Sequence, residues 1–175
     1  MRVGGRGRAS VRRRGSGDGG AALVEFAIIA PLIFALILGL VTGGVSMSRK
    51  NSMTNAVREG ARMGATLPES TAWGTAVRDR VVSLSGNDLA ATQVCVKLVR
   101  KPTATTETVR RATPATCPFG GEPSSAGIPA GECVVKVWAR RSSDIQVMFL
   151  TRPLTLQASS VNRYEREGDP ATCAA

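Results

Sequence analysis

The chain has 175 residues, of which 43% are hydrophobic and only 4% are aromatic, and its 23 basic and 13 acidic residues give a net charge of +10. This length suits one modest domain plus an anchor. Because the chain contains no histidine, its composition excludes a Ser-His-Asp triad, a Cys-His pair and a zinc site with histidine ligands.

The first 20 residues form a basic leader. They contain one acid, Asp18, and six arginines: Arg2, Arg6, Arg8, Arg12, Arg13 and Arg14. A basic arm of this kind can grip nucleic acid. A Gly- and Arg-rich stretch directly before an apolar run more often sets the orientation of a membrane segment, and we favour that interpretation.

Residues 21–45 form an apolar run that is interrupted by a single charge, Glu25. As a helix, 25 residues extend about 38 Å, which exceeds the hydrocarbon thickness of about 30 Å. The run is longer than the apolar core of a cleaved secretory signal, so we expect a membrane-spanning helix. A carboxylate at mid-span costs about 3 kcal/mol, although an acid near the interface without any role stays an alternative.

The residues around Glu25 follow a recognisable order. Gly20 precedes the sequence AALVEF, so that a small residue, four apolar residues, an acid and an aromatic follow one another. This order resembles the prepilin processing site of the type IV pilin class. The resemblance implies that a membrane aspartic peptidase cuts between Gly20 and Ala21, and that Glu25 and Phe26 then stand at the fifth and sixth positions of the mature chain.

Longer stretches narrow the resemblance to one family. VEFAIIAPLIFALILGL and NAVREGARMGA are similar to the TadE-like proteins, minor pilins or pseudopilins of the tight-adherence (Tad/Flp) pilus system. The closing stretch LTLQASSVNRYE resembles the last strand of that family. The strong likeness covers about residues 19–66. It implies as partners other Tad/Flp pilins and pseudopilins, a prepilin peptidase, the inner-membrane assembly platform and membrane lipid.

The pilin resemblance also implies a role for Glu25. Cleavage would leave an ammonium group on Ala21 in an apolar setting, where Glu25 of an adjacent, staggered subunit can neutralise it. Because each charge is costly alone in a low dielectric and tolerable when paired, the pair can fix the register between helices.

Further along, the helical pattern contains a proline and a stripe of small residues. Pro31 removes one backbone hydrogen bond inside the span, so we expect a kink there, either with a packing role or with none. After the span, small and apolar residues recur every three or four positions, which predicts that another helix packs closely there. The small members of this stripe are Ala56, Gly60 and Gly64. Pro68 ends the helix.

A second helix is predicted within residues 71–86. Ser70 or Thr71 is placed to cap its start, and Gly86 is placed to end it. Its apolar side contains Trp73, Val77 and either Val81 or Leu84.

The remaining pattern alternates as in strands. Residues 94–100, 133–140, 144–150 and 154–161 are predicted strands, and Arg152-Pro153 separates the last two. Residues 101–132, rich in Thr, Pro and Gly, are a long surface loop with a further short strand near 106–111. The fold class is therefore α+β, with a small antiparallel sheet of three to four strands covered by helix.

All four cysteines follow the apolar run, which favours disulfides in an oxidising compartment over a metal site. They are Cys95, Cys117, Cys133 and Cys173. Spacing does not choose among the three possible connectivities. A Cys95–Cys133 bridge is awkward because the two residues alternate onto opposite strand faces, and Cys117–Cys133 is a weak preference.

No catalytic motif is present: the acids form no paired motif, and there is no P-loop, no GxSxG and no dinucleotide turn. We therefore expect a protein without enzymatic activity, cofactor or metal. Its regions are a leader (1–20), a transmembrane and extended helix (21–66), an exported α+β domain (67–165) and a tail (166–175).

Two functions of different class remain. The first is a minor pilin or pseudopilin of Tad/Flp pilus assembly, processed by a prepilin peptidase and packed through its N-terminal helix with other pilins. The second is a signal-anchored exported module whose basic surface binds an anionic polymer, lipid or DNA. In both, the chain crosses the cytoplasmic membrane once, with its N-terminus in the cytoplasm and its sheet outside.

Overall fold

The structure, a computed structural model, describes residues 18–147 and 150–166. Its long helix α1 (Asp18–Thr66) is followed by a shorter helix α2 (Trp73–Leu84) and a 3-10 turn (Ala91–Gln93). The four strands are β1 (Val94–Arg100), β2 (Thr108–Thr113), β3 (Cys133–Val147) and β4 (Leu150–Arg163). The predicted α+β fold is confirmed. Residues 1–17 of the leader and residues 167–175, which include Cys173, lie outside the described residues.

The four strands form one antiparallel sheet in the order β2-β1-β3-β4. Val137 of β3 lies between Val96 of β1 and Ser160 of β4, which places β3 inside the sheet. Strand β4 is therefore an edge strand. Strand β2 forms the other edge, and it begins two residues later than the predicted strand near 106–111.

The β3–β4 hairpin corrects the predicted boundaries. We expected a break at Arg152-Pro153 and two separate strands at 133–140 and 144–150. Instead β3 is continuous, Val147 pairs with Leu150, and Pro153 lies within β4 opposite Asp144. Proline is tolerated there because an edge strand has one side on which no partner strand needs its missing N–H group.

The start of α2 also differs from the prediction. Its N-cap is Ala72, and no side chain caps the helix. Instead the backbone N–H of Trp73 donates to the carbonyl oxygen of Ser70 at 3.2 Å. A main-chain turn thus satisfies this N–H group, and the predicted cap by the side-chain hydroxyl of Ser70 or Thr71 is absent. At the other end Gly86 has a φ of 67°, as its predicted role at the helix terminus requires.

The main core lies between the two helices and one face of the sheet. On β3 this face carries Cys133, Val135, Val137 and Ala139, which alternate along the strand as a pleated backbone requires. The helices contribute the buried residues Met53, Ala56, Val57, Ala61, Ala65, Trp73, Val77 and Val81. The C-terminal half of α1 is therefore a core helix of the domain.

The other face of the sheet is also buried. Cys95, Val99, Val134 and Trp138 are at most 2% exposed, yet none of them belongs to the core under the helices. The loop segments on either side of β2, within residues 101–132, fold back over this face, and contacts from Glu122 to Lys97 and from Glu107 to Lys136 hold them there. The sheet is thus a middle layer between helices and a long loop.

Candidate functional site

Helix α1 consists of two halves with different surroundings. From residue 53 onwards it is part of the domain core, whereas its N-terminal half exposes large apolar side chains. These are Leu23, Val24, Phe26, Ile28, Ile29, Leu32, Ile33, Phe34, Leu36, Ile37, Leu38, Leu40, Val41, Val45 and Met47. The most apolar window of this helix has a mean hydropathy of 2.6, and none of it is buried in the fold. By length and composition, α1 is a candidate membrane anchor.

The residues of the predicted processing motif lie in the first turns of α1. Gly20, Ala21, Glu25 and Phe26 are all exposed. Within the described part of the chain Glu25 makes no hydrogen bond and no salt bridge. The pairing of this exposed carboxylate with an ammonium group of another subunit stays a prediction.

Pro31 lies within α1, and the helix is continuous on both sides of it. The proline is exposed, as are most of its neighbours in the span. The described part of the domain leaves this position uncovered, and the packing role considered for Pro31 stays a prediction.

The small-residue stripe lies against the rest of the domain. A methyl group on Gly60 would come within 2.2 Å of Val81 Cγ2, and one on Gly64 within 3.0 Å of Val135 Cγ1. Ala56 belongs to the same core. The indole Nε1 of Trp73 donates to the carbonyl oxygen of Gly64 at 3.0 Å. These positions bring α1 close to α2 and to the sheet.

Hydrogen bonds join the residues that directly follow β4 to the C-terminal end of α1. The backbone N–H of Glu165 donates to the Ala65 carbonyl oxygen at 3.0 Å, and the Tyr164 hydroxyl donates to the Leu67 carbonyl oxygen at 2.7 Å. Burial raises the pKa of the Tyr164 hydroxyl above its ordinary value. Thus LTLQASSVNRYE lies against the same helix as NAVREGARMGA, although the two stretches are far apart in the sequence.

An ion pair occupies the exposed side of α1. Arg62 donates to both carboxylate oxygens of Glu59, at 2.9 Å and 2.7 Å. These hydrogen bonds lower the pKa of Glu59 and raise that of Arg62. Both groups are exposed to solvent, so the ion pair contributes little to the stability of the domain.

The loop-covered face contains a buried charge cluster that the sequence did not reveal. The side chain of Lys136 is only 4% exposed, and its Nζ lies 2.6 Å from Glu107 Oε2 and 3.4 Å from Glu122 Oε1. Glu107 also accepts a hydrogen bond from Ser125. Burial alone would raise the pKa of Glu107, but the bonds from Lys136 and Ser125 outweigh it and lower that pKa. The sequence does contain a signal for this cluster: each of two predicted apolar strands carries one lysine, Lys97 in β1 and Lys136 in β3.

The disulfide of this face corrects our preferred pairing. Cys117 of the loop is bonded to Cys95 of β1, not to Cys133, and their Cα atoms are 5.9 Å apart. Cys133 forms a disulfide as well. The reason lies in the strand faces: Cys95 belongs to the face that the loop covers, whereas Cys133 belongs to the helix-covered core. The expectation of disulfide bonding is confirmed, and the predicted connectivity was wrong.

The fold and the exposed apolar surface of α1 define a class of protein: an α+β domain built on the second half of a helix whose first half is a candidate membrane anchor. The model of the family described as TadE-like protein matches residues 20–62. This match confirms the resemblance read from the sequence, and it associates the chain with Tad pilus systems in general. No curated protein and no solved structure matches the chain.

Proposed function

We propose that this chain is a minor pilin or pseudopilin of Tad/Flp pilus assembly, a structural component without catalytic activity. One observation carries the proposal: residues 21–45 of α1 expose large apolar side chains with a single acid, Glu25, among them, while α1 from residue 53 onwards holds the domain. The matched family segment, residues 20–62, covers the exposed half and its junction with the core. A helix of this kind can insert laterally among other pilin helices without disturbing its own domain.

The proposed mechanism begins with processing. A prepilin peptidase cuts between Gly20 and Ala21 and removes the arginine-rich leader. The new ammonium group on Ala21 then pairs with Glu25 of a neighbouring pilin helix. An unpaired charge within a span costs about 3 kcal/mol, so correct register is favoured over a shifted one by roughly a hundredfold.

The proposed topology places the leader in the cytoplasm and the sheet outside. The leader carries six arginines, which favours its retention on the cytoplasmic side. The Cys95–Cys117 disulfide supports an outer location for the domain, since such bonds persist in oxidising compartments.

The decisive test of processing is an intact mass. The full chain is expressed with an active or an inactive prepilin peptidase, extracted from membranes, and analysed by mass spectrometry and N-terminal sequencing. We expect a mature chain that starts at Ala21 only with the active enzyme. Retention of residues 1–20 under both conditions would contradict the pilin mechanism and favour the anchored binding module.

A second test separates processing from assembly. In Glu25→Gln the chain keeps its shape but cannot neutralise the ammonium group, so co-purification with the other pilins should fall by more than about tenfold even where cleavage continues. Glu59→Gln serves as the matched control because Glu59 is an acid of the same helix outside the apolar run. Equal assembly of the two variants would count against the charge pair.

A further inference from the structure

One backbone edge of strand β4 has no partner strand. In the sheet order β2-β1-β3-β4, no described strand lies beyond β4. The backbone N–H of Tyr164 donates to the Cys133 carbonyl oxygen, and the register of β4 against β3 is regular. Because the backbone groups of a strand point alternately to its two sides, the odd-numbered residues before Tyr164 direct their N–H and C=O groups away from β3. Between positions 155 and 163 these residues are Thr155, Gln157, Ser159, Val161 and Arg163.

The two outer strands of the sheet differ in how far their edges are protected. Folded proteins blunt unpaired edges with short strands, bulges or prolines. Strand β2 is 6 residues long, and its register against β1 shifts between Leu98 and Val99. Strand β4 is 14 residues long, and Pro153 lies near its start. Residues 155–163, which we call the free edge, therefore form a regular strand edge about 30 Å long without these protective features.

Two recesses lie beside the free edge on the face of the sheet that carries α1. The lower recess has a volume of about 280 Å³ and is mainly apolar or small in its lining, which includes Gly43, Ser46, Met47, Leu154 and Leu156. The upper recess has a volume of about 430 Å³ and is polar, with a lining of Asn55, Arg58, Glu59, Arg62, Ser160 and Asn162. Both recesses are bounded by α1 on one side and by β4 on the other.

A third recess lies on the opposite face of the sheet, under the loop. Its volume is about 90 Å³, and its lining includes Gly120, Gly121, Trp138, Gln157 and Ser159. Trp138 is only 2% exposed, and its indole Nε1 has no hydrogen-bond partner among the described residues. Since a buried donor without a partner is costly, this recess suits a small side chain with an oxygen acceptor.

The three recesses follow the alternation of a β-strand. Side chains that stand opposite each other on neighbouring strands lie on the same face of a sheet. In a strand added to the free edge, the residues opposite Leu156 and Asn162 would therefore point to the helix face, and the residue opposite Ser159 would point to the loop face. The recesses are thus spaced to receive side chains of one added strand at steps of three residues.

The upper recess favours an acidic side chain. Its lining contains two arginines and one acid, and that acid, Glu59, is already paired with Arg62. Arg58 is exposed, and no salt bridge among the described residues involves it. The two outer strands, TVRRAT and LTRPLTLQASSVNR, contain no acid, so neither outer strand of a second copy supplies this side chain. The charge therefore points to a segment of a different protein.

We propose that the free edge of β4 binds an extended segment of a second protein by strand addition. The segment places an apolar side chain in the lower recess, a small side chain with an oxygen acceptor under the loop, and an acid beside Arg58. Backbone hydrogen bonds supply the affinity in this mode, and the recesses select the sequence. The inference goes beyond the proposed pilin function and is independent of leader processing.

The experiment uses the detergent-solubilised full chain and synthetic peptides in which valine, serine and aspartate are separated by pairs of threonines. Both reading orders are used, because an added strand runs parallel or antiparallel to β4. Comparison peptides carry lysine in place of aspartate. Fluorescence anisotropy of labelled peptides measures affinity, and amide hydrogen exchange followed by NMR locates the bound peptide.

We expect the aspartate peptide of one reading order to bind about fivefold or more tightly than its lysine counterpart, and Arg58→Gln to remove most of this difference. Bound peptide should slow exchange at the outward N–H groups of Gln157, Ser159 and Val161. The N–H groups of Ala158 and Ser160, which face β3, should keep their exchange rates.

A proline placed on the free edge tests the backbone contact directly. Val161→Pro removes one outward N–H and should weaken peptide binding by about fivefold or more. Thr151→Pro is the matched control, because Thr151 faces the same side of β4 below the free edge, and binding should stay unchanged. If Val161→Pro lowers the thermal midpoint of the domain, Arg58→Gln still tests the site through an exposed side chain.

Several results would overturn strand addition while leaving the pilin function intact. One is the absence of binding by all the peptides, and another is binding that slows no outward N–H group. Slow exchange at Gln157, Ser159 and Val161 before any peptide is added would show that the edge is already covered. Protection that disappears on dilution would then assign the edge to a second copy, and protection that persists would assign it to this chain itself.

Discussion

The close approach of the two helices at Gly60 gives a prediction whose size follows from the structure. In Gly60→Ala the new Cβ would stand 2.2 Å from Val81 Cγ2, where carbon atoms need about 3.5 Å. Val81 cannot easily turn away, because a helical valine has one strongly preferred rotamer. Such overpacking costs about 1–3 kcal/mol, while replacing glycine by alanine inside a helix returns up to about 1 kcal/mol. Because the overlap at Gly60 exceeds 1 Å, we place the cost in the upper part of that range and expect a net loss of about 1–2 kcal/mol.

The assay is thermal unfolding of the detergent-solubilised full chain, followed by tryptophan fluorescence. Trp73 is a suitable reporter because its indole donates to Gly64, one turn from Gly60. For a domain of about 100 residues the loss corresponds to a midpoint lower by roughly 5–10 °C. Gly39→Ala is the control, since a Cβ there meets no atom within 4 Å.

A double-mutant cycle identifies the cause of that loss. Val81→Ala removes the methyl group that the new Cβ would meet, so the combined variant should be more stable than the sum of the two single changes predicts. A Gly60→Ala protein as stable as the unchanged chain would refute the reasoning, as would strictly additive effects in the double variant. Either result would mean that α1 and α2 are not in contact at this position.

The other predictions concern the loop-covered face. Replacing both Cys95 and Cys117 by serine removes a disulfide with a sequence separation of 22. In the chain-entropy model this should lower the free energy of unfolding by about 3.4 kcal/mol. Unchanged resistance of the loop to protease would contradict this expectation. Glu107→Gln leaves buried Lys136 with the more distant Glu122 and should cost about 2–3 kcal/mol by denaturant titration. Because folding lowers the pKa of Glu107, its contribution is complete above about pH 5 and is lost as the pH falls through the folded pKa. The glutamine variant should therefore lose less stability on acidification than the unchanged chain.

Much of the architecture could be read from local pattern. The apolar run and the small-residue stripe predicted one long helix, and β1 was predicted with the bounds that the structure has. These features are local, since a helix or a strand follows from the periodicity of neighbouring side chains. The TadE-like character of residues 20–62 likewise lies in contiguous motifs.

The position of the hairpin turn could not be predicted from neighbouring residues. In isolation, Arg152-Pro153 is a strong signal for the end of a strand. The predicted break is wrong because β4 lies at the edge of the sheet, where the missing N–H group of a proline can face away from the partner strand. Which strand becomes an edge depends on the pairing of the whole sheet. A single strand sequence does not contain that information.

What the sequence by itself determined is the exposed half of this molecule: an apolar helix with one acid, in a stretch whose resemblance to a prepilin processing site needs no tertiary contact to be recognised. Only the tertiary structure decided that Gly60 faces Val81, that Cys117 bonds to Cys95, and that Lys136 is buried against Glu107. The physical reason is that each of these contacts joins residues that are distant in the sequence. Their proximity is created by chain folding, and side-chain periodicity along the sequence reports only on near neighbours.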